Sequence, residues 1–422
     1  MHLVKLFQVL QFPKRLLHNF LGDRDTSKQR VLKILVLGLL LSFACELGIV
    51  EKGISNPVIN SQVLSKAFPI NQMTTPPKVV FFGSSTTVGL WASRGDRRWS
   101  TLLSRYMGWQ EINESLSGST LSKASRDGKP LRTTAAVQRW REAITPRHPD
   151  LVVMLYGVND AYWKLPLGDE VNPKPATFRG DLETMLTGMA QVLRPDRLVV
   201  VTPQPNQATR DRRSPYDLAL KEGANKIGAN FIDAGQEAFP IDELSNYSAD
   251  GLHLNNLGHA ALASYIAGKL IDIGVVTPPP MAKGGNNIPE AREALSGGFL
   301  RIDVDRPLSF GVIRSISARW LTSGQARFAL MRPDGRGGYE LIYRTPKFAV
   351  SKDITETKVP RWWVLEGDRL AVWTDGNCLG SQSTETTAIH HLAIEIKQDM
   401  SISDVKSSSI RADDHKLAIW TS

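Results

Sequence analysis

The strongest constraint on the fold is a change of hydrophobic period that repeats between Lys78 and Ile271. Short apolar runs of strand length alternate with longer segments of helical spacing: Val79 to Phe82 then Trp99 to Tyr106; Leu151 to Tyr156 then Phe178 to Leu193; Leu198 to Thr202 then Ser214 to Ile227; Phe231 to Asp233 then Leu257 to Ile271. Parallel strands need a crossover of helical length, so this alternation predicts a parallel sheet with helices on both faces, expected over 78–276. Such sheets present reactive groups in the loops at the carboxyl ends of their strands.

The pattern breaks at Thr277-Pro278-Pro279-Pro280 and at Gly284, Gly285, Asn286 and Asn287, which read as a linker over 277–296. Beyond it the texture turns to period-two alternation. Phe299 to Val304, Ala326 to Met331, Tyr339 to Tyr343, Arg369 to Trp373 and Ala388 to Ile396 read as strands, with Pro333 to Gly338 as a hairpin turn. An antiparallel sandwich is expected over 297–400, followed by a loosely held tail over 401–422. Trp320, Tyr339, Tyr343, Trp362, Trp363, Trp373 and Trp420 serve either as its core or as a platform for sugar rings. Trp362 and Trp363 are adjacent, so they point to opposite faces of a strand, and one of them is a candidate for exposure.

The N-terminal 50 residues carry a different signal. Of the net charge of +9, +5 sits between Met1 and Lys33, which hold seven basic residues and two acidic ones. Twelve uncharged residues follow, Ile34 to Cys45, covering ~18 Å of helix against a ~30 Å hydrocarbon core. This addresses the chain to a membrane, either as a signal-anchor with Lys33 and Glu46 snorkelling or as a cleaved signal; a buried apolar helix and a lipoprotein at Cys45 are the remaining readings. The basic flank predicts that it stays cytoplasmic while everything beyond Val50 is exported, with 51–77 as a linker off the membrane. The expected location is therefore the cell envelope, inner-membrane anchored with the globular part in the periplasm or extracellular space. No basic and aromatic pattern supports a nucleic-acid partner. Cys45 and Cys378 are too few for a disulfide framework and stand at no metal-ligand spacing.

Four loops at predicted strand ends hold the candidate chemistry. Gly83-Ser84-Ser85-Thr86-Thr87-Val88-Gly89 follows the first strand; a serine there suits a nucleophile whose turn offers backbone N–H groups to an oxyanion, although such a composition also caps helices. Asn113-Glu114-Ser115-Leu116-Ser117-Gly118 is the second, and Gly157-Val158-Asn159-Asp160 the third. The fourth, Asp250-Gly251-Leu252-His253, brings a carboxylate and an imidazole together in a loop ahead of a helix. Of the eight histidines, His148 reads as surface and His259 as a packing or capping residue, while the others except His253 fall outside this domain.

In this order the four blocks resemble those of the SGNH, or GDSL, hydrolase superfamily, over roughly Lys78 to Val276. The resemblance implies a three-layer α/β/α, flavodoxin-like sheet and ester hydrolysis or acyl transfer. It implies Ser85 as nucleophile, Asp250 and His253 as the acid and base partners, and Ser85, Gly118 and Asn159 as the oxyanion hole; Trp99 stands where family members often open the first helix. The signature departs from the pattern at Ser84, where an aspartate is usual, and at Ser115, where a second glycine is usual. Neither is a proton-transfer partner. No metal and no cofactor is implied.

Exported SGNH domains joined to β-sandwiches resemble enzymes that add or remove acetyl groups on extracellular polysaccharides. The expected partner is an acylated polysaccharide, such as an exopolysaccharide or bacterial cellulose, with a polysaccharide synthase or secretion complex as a further partner. Three readings stay open: an esterase, an O-acyltransferase using the same residues, and a non-catalytic carbohydrate-binding component of such a complex. The intact five-residue set argues against the third, and a lipid or thioester hydrolase is disfavoured by the sandwich.

Overall fold

The computed structural model describes residues 70, 73–125, 128–129, 133–248, 250–382, 391–395, 404–405, 410–413 and 416–421. Ile34 to Cys45 and the basic flank lie outside the described residues; among those described, no helix is long and apolar enough to cross a membrane.

The first half is an α/β structure. Strands β1 (Lys78–Gly83), β2 (Gln110–Asn113), β3 (Leu151–Leu155), β4 (Leu198–Val201) and β5 (Asn230–Ile232) are all parallel, in the order β2-β1-β3-β4-β5. The connections carry α1 (Ser85–Val88), α2 (Trp99–Met107), α3 (Ala136–Ile144), α4 (Val158–Tyr162), α5 (Phe178–Val192) and α6 (Ser214–Ile227), and α7 (Asn256–Asp272) follows β5. Strand residues alternate between two cores, as the pleat requires. Val79, Phe81, Val153 and Val199 pack towards α2 and α7, whereas Val80, Phe82, Val152 and Val200 pack with Trp140 of α3, Leu186 of α5 and Leu220 of α6. This is the expected three-layer arrangement. It adds β2 and α3, which lie between the first two strands recognised from sequence.

The second half is antiparallel. Strands β6 (Phe299–Asp303), β7 (Gly311–Trp320), β8 (Gly324–Pro333), β9 (Tyr339–Arg344), β10 (Asp353–Val364), β11 (Arg369–Thr374), β12 (His391–Glu395) and β13 (Ile419–Thr421) divide between two sheets. One runs β9-β8-β11-β6-β12 and the other β10-β7-β13. Ile313, Ile316 and Trp320 of β7 share one core with Phe328, Leu330, Leu370 and Val372. The expected hairpin turn is present: Pro333 pairs with Tyr339, and the Asp334 carboxylate accepts from the Arg336 and Gly338 N–H groups at 2.7 and 2.9 Å.

Three expectations change. The chain end is not loose throughout, because Leu417, Ala418 and Ile419 are buried and Ile419 pairs with Ala318; apolar residues there complete the smaller sheet. The 277–296 stretch does not run free, since Ala282 donates to the Val312 carbonyl at 3.0 Å and Asn286 to that of Ile419 at 2.7 Å. Finally, neither Trp362 (3% exposed) nor Trp363 (0%) is a platform. The same core that fills the sandwich continues through Trp99, Tyr106 and Ile266 of the α/β half, so both faces of β10 are covered at its Trp362–Val364 end. Trp363 stacks on Tyr106 at 5.3 Å, Trp362 on Tyr343 at 5.7 Å, and the Tyr106 and Tyr343 hydroxyls meet at 3.0 Å. Arg361 donates across the seam to the Gly268 carbonyl and to Asp272, both at 2.9 Å.

Candidate active site

The strand order reverses direction at β1 and β3, where crossovers depart to opposite sides and leave a crevice at the carboxyl edge. Gly83 and Leu155 are paired there, so the chain leaving β1 into Ser85 runs beside the chain leaving β3 into Asn159. Glycine is required at 83, since a Cβ would lie 2.2 Å from Thr87 Oγ1 and 2.9 Å from the Leu155 carbonyl oxygen. The turn after it is held from three sides. The Ser84 carbonyl accepts from the Thr87 and Val88 N–H groups, Asn113 Nδ2 donates to the Thr87 carbonyl at 2.8 Å, and Gln204 Nε2 donates to Thr86 Oγ1 at 3.2 Å. Ser84 makes no hydrogen bond to Ser85, Asp250 or His253 among the described residues, so its departure from the usual aspartate leaves the proton-transfer set intact.

His253 bridges the two groups assigned to it. Its Nε2 lies 3.1 Å from Ser85 Oγ, and its Nδ1 lies 2.7 Å from Asp250 Oδ2. The other carboxylate oxygen, Oδ1, accepts from the N–H groups of Leu252 at 2.9 Å and His253 at 2.7 Å, which folds the loop so that imidazole and carboxylate meet. Burial works to raise the Asp250 carboxyl. The hydrogen bonds from the His253 ring and from these backbone groups outweigh it and hold the carboxyl at about 2. Asp250 is thus an anion that fixes the proton on Nδ1 and turns Nε2, as acceptor, towards Ser85 Oγ.

The two remaining members sit on the opposite flank. Gly118 adopts φ +76°, a left-handed backbone that favours glycine, although its Cβ would have room. Asn159, on the short helix α4, donates one Nδ2 hydrogen to the Ser119 carbonyl at 2.8 Å, which orients the amide. The loop after Gly118 is braced by two buried carboxylates. Asp160 accepts from the Leu121 and Ser122 N–H groups, each at 2.9 Å, and burial pushes it up to about 7. Asp181 accepts from Ser122 Oγ at 2.7 Å and from the Lys123 N–H at 2.8 Å.

All five sequence-assigned residues therefore fall in two groups at one end of the sheet. The catalytic-type hydrogen bonds join Ser85, Asp250 and His253, and Asn159 is coupled to the loop that carries Gly118. His259 is buried with its Nδ1 accepting from the Trp99 N–H at 3.3 Å, and burial lowers it to about 4, which fits the packing role expected of it. Sequence reasoning missed Gln204. Its amide also donates to the Leu252 carbonyl at 3.0 Å, tying the Ser85 turn to the Asp250–His253 loop, and buried Arg213 donates to the Gln204 carbonyl at 2.6 Å. Its only sequence signal is a polar residue at the carboxyl end of apolar β4. A separate cleft of ≈ 350 Å³ lies between α7 and the β region, lined by Tyr247, Tyr265, Arg344 and Arg361, and contains none of the five. No group of three metal-ligating side chains occurs among the described residues.

Comparison with known proteins bears on the same stretch. The model of the GDSL-like Lipase/Acylhydrolase family matches residues 81–261. No curated protein matches the chain. Among solved structures, a protein from Lactobacillus plantarum is similar at 23% identity, covering 47% of this chain and 99% of its own, with a TM-score of 0.41. An alpha/beta hydrolase enzyme from the metagenome of Lake Arreo, Spain, is 21% identical over 49% of this chain and 99% of its own, with a TM-score of 0.37. An acetylxylan esterase from Geobacillus stearothermophilus is 19% identical over 48% and 97%, with a TM-score of 0.36. Residues 81–261 of this chain are thus similar to the GDSL-like Lipase/Acylhydrolase family, and the match does not reach the all-β region.

Proposed function

We propose that the protein is a serine esterase that removes O-acyl groups, acetyl in the simplest case, from a secreted polysaccharide. The observation that carries the reading is the continuous hydrogen-bond line Asp250–His253–Ser85 beside the Gly118 and Asn159 flank. His253 Nε2 takes the proton of Ser85 Oγ as that oxygen attacks the ester carbonyl; Asp250 stabilises the imidazolium that forms. The Ser85 and Gly118 N–H groups and the Asn159 amide hold the oxyanion, and His253 returns its proton to the departing alcohol. Water then attacks acyl-Ser85 with His253 again as base, releasing the acid and restoring the serine.

Solvent access supports water as the final acceptor: the Asp250 and His253 side chains are 31% and 17% exposed, whereas transfer to a sugar requires water to be kept out. The polysaccharide substrate, the membrane tether and the envelope location rest on the sequence, through the basic flank, the Ile34 to Cys45 segment and the pairing with a β-sandwich.

The test is release of p-nitrophenol from p-nitrophenyl acetate by the full chain, beside Ser85→Ala and His253→Ala. Loss on the order of 10⁴-fold or more in both is the expected result; equal rates in all three would sink the esterase. Acetylated sugar appearing when an oligosaccharide acceptor is added would redirect the assignment to acyl transfer.

A further inference from the structure

Twelve large apolar side chains are left in solvent among the described residues, and four of them stand within six residues of the candidate site residues. They are Leu90 and Trp91 beyond Ser85, Leu116 before Gly118, and Tyr162 after Asn159. Trp91 is 54% exposed and Tyr162 43%. Their backbones are pinned to the site. The Leu90 N–H donates to the Ser85 carbonyl at 3.0 Å, and two residues beyond Trp91 the chain is clamped again, where Ser93 N–H donates to Asn256 Oδ1 at 2.9 Å and Asn256 Nδ2 to Ser93 Oγ at 2.8 Å. Asn256 opens the helix that follows His253. Trp91 is thus carried on a short arch between nucleophile and base. On the other flank the Trp163 N–H donates to the Asn159 carbonyl at 2.9 Å, and the Trp163 ring meets Tyr162 edge-on at 4.8 Å.

Both arches are strained. Four non-glycine residues among those described have left-handed backbones, and two of them are Trp91 (φ +70°) and Lys164 (φ +52°). A bulky aromatic side chain held in that region and left in solvent contributes little to folding, so its placement points to a ligand.

We infer that Trp91 and Tyr162 are substrate-binding residues that stack on sugar rings either side of the acylated residue. This rests on the esterase reading and names what its substrate must present. An acyl chain would need an enclosed apolar tunnel, whereas these rings are open to water and share their arches with polar residues, Ser93 on one and Lys164 on the other. Flat C–H faces flanked by hydroxyls match that mixture.

The experiment compares Trp91→Gly and Tyr162→Ala with the unaltered full chain on short acetylated cello-oligosaccharides, p-nitrophenyl acetate and p-nitrophenyl octanoate. Each substitution is expected to raise KM for the oligosaccharide about tenfold, to change its kcat less than its KM, and to cost more on the oligosaccharide than on either small ester. Trp91→Gly removes the left-handed strain and should not lower Tm. Equal losses on all three substrates, or a larger loss on the octanoate, would overturn the inference. Binding of the same oligosaccharides to Ser85→Ala, with and without the rim substitutions, reads the rim without turnover. If the unaltered chain hydrolyses nothing but this binding depends on Trp91 and Tyr162, the esterase reading fails and the rim stands; binding that ignores them, or no binding, overturns the rim.

Discussion

Both halves bury aromatic and charged side chains, but the α/β half also sets polar groups and exposed rings in the loops at the ends of its strands. In the α/β half, Ser85, Gly118, Asn159 and the Asp250–His253 pair lie in the loops beyond β1, β2, β3 and β5, with Trp91 and Tyr162 left in solvent in the same loops. In the β region the corresponding residue types are spent inside. Arg332 grips Asp368 through two hydrogen bonds of 2.7 Å each, both groups buried, and Trp320, Trp362 and Trp363 fill the core. The contrast teaches that aromatic content alone does not mark a binding face. The backbone geometry and exposure of each ring decide, and the candidate chemistry lies in the half whose parallel sheet ends in an open crevice.

The seam offers the largest test of this division. Trp363→Ala should cost roughly 3–5 kcal/mol, read as a lower urea midpoint in one shared transition, while turnover of p-nitrophenyl acetate by the folded protein stays unaltered. Two separate transitions would show that the halves stand independently and break the comparison. Asn159→Ala should do the reverse, lowering kcat by about 10²-fold, or ~3 kcal/mol, with little change in the urea midpoint.

The smallest effect is in pH dependence. Asp160 in the α/β half and Asp303 in the β region are both pushed by burial up to about 7, against ~4 for an ordinary carboxyl. Between those values the folded chain holds a proton that the unfolded chain has released, so each group makes the fold less stable as pH rises from about 4 to about 7. Asp160→Asn and Asp303→Asn should each flatten that slope in urea midpoints taken at both ends of the window. Only Asp160→Asn should also lower kcat, because Asp160 fixes the loop beyond Gly118; equal kcat losses would erase the distinction.

Much of the site was legible because its signals are local. Asp250 and His253 are three residues apart in one loop, and Ser85 closely follows an apolar strand; strand-end placement marked these loops, and the order of the four blocks, through its resemblance to the SGNH hydrolases, singled out the residues. Gln204 was not legible, since it acts by joining Thr86 to Leu252, and nothing in the sequence near it announces either partner. The same limit governs the fold. Leu151 to Leu155 and Leu198 to Val201 are buried on both faces and read as continuous apolar runs, whereas β2, Gln110–Asn113, is an edge strand with one aliphatic residue. In the sandwich, β10, its longest described strand, and β7 also escaped. Arginines interrupt the apolar run of β7, and β10 begins with polar residues, carries Pro360, and shifts register between Lys358 and Trp362. The double burial of Trp362 and Trp363 depended on a partner surface that no alternation within β10 could reveal.

The shared core running from Trp99 and Tyr106 through Ile266 to Trp362 and Trp363 bears on how this chain can be cut. Removing everything after Val276 would not free a compact enzyme. It would strip the cover from one flank of α2 and α7 and lay bare an oily surface prone to clumping. In such a molecule the sandwich acts as a permanent lining for the back of the α/β half, so the two behave as one indivisible body.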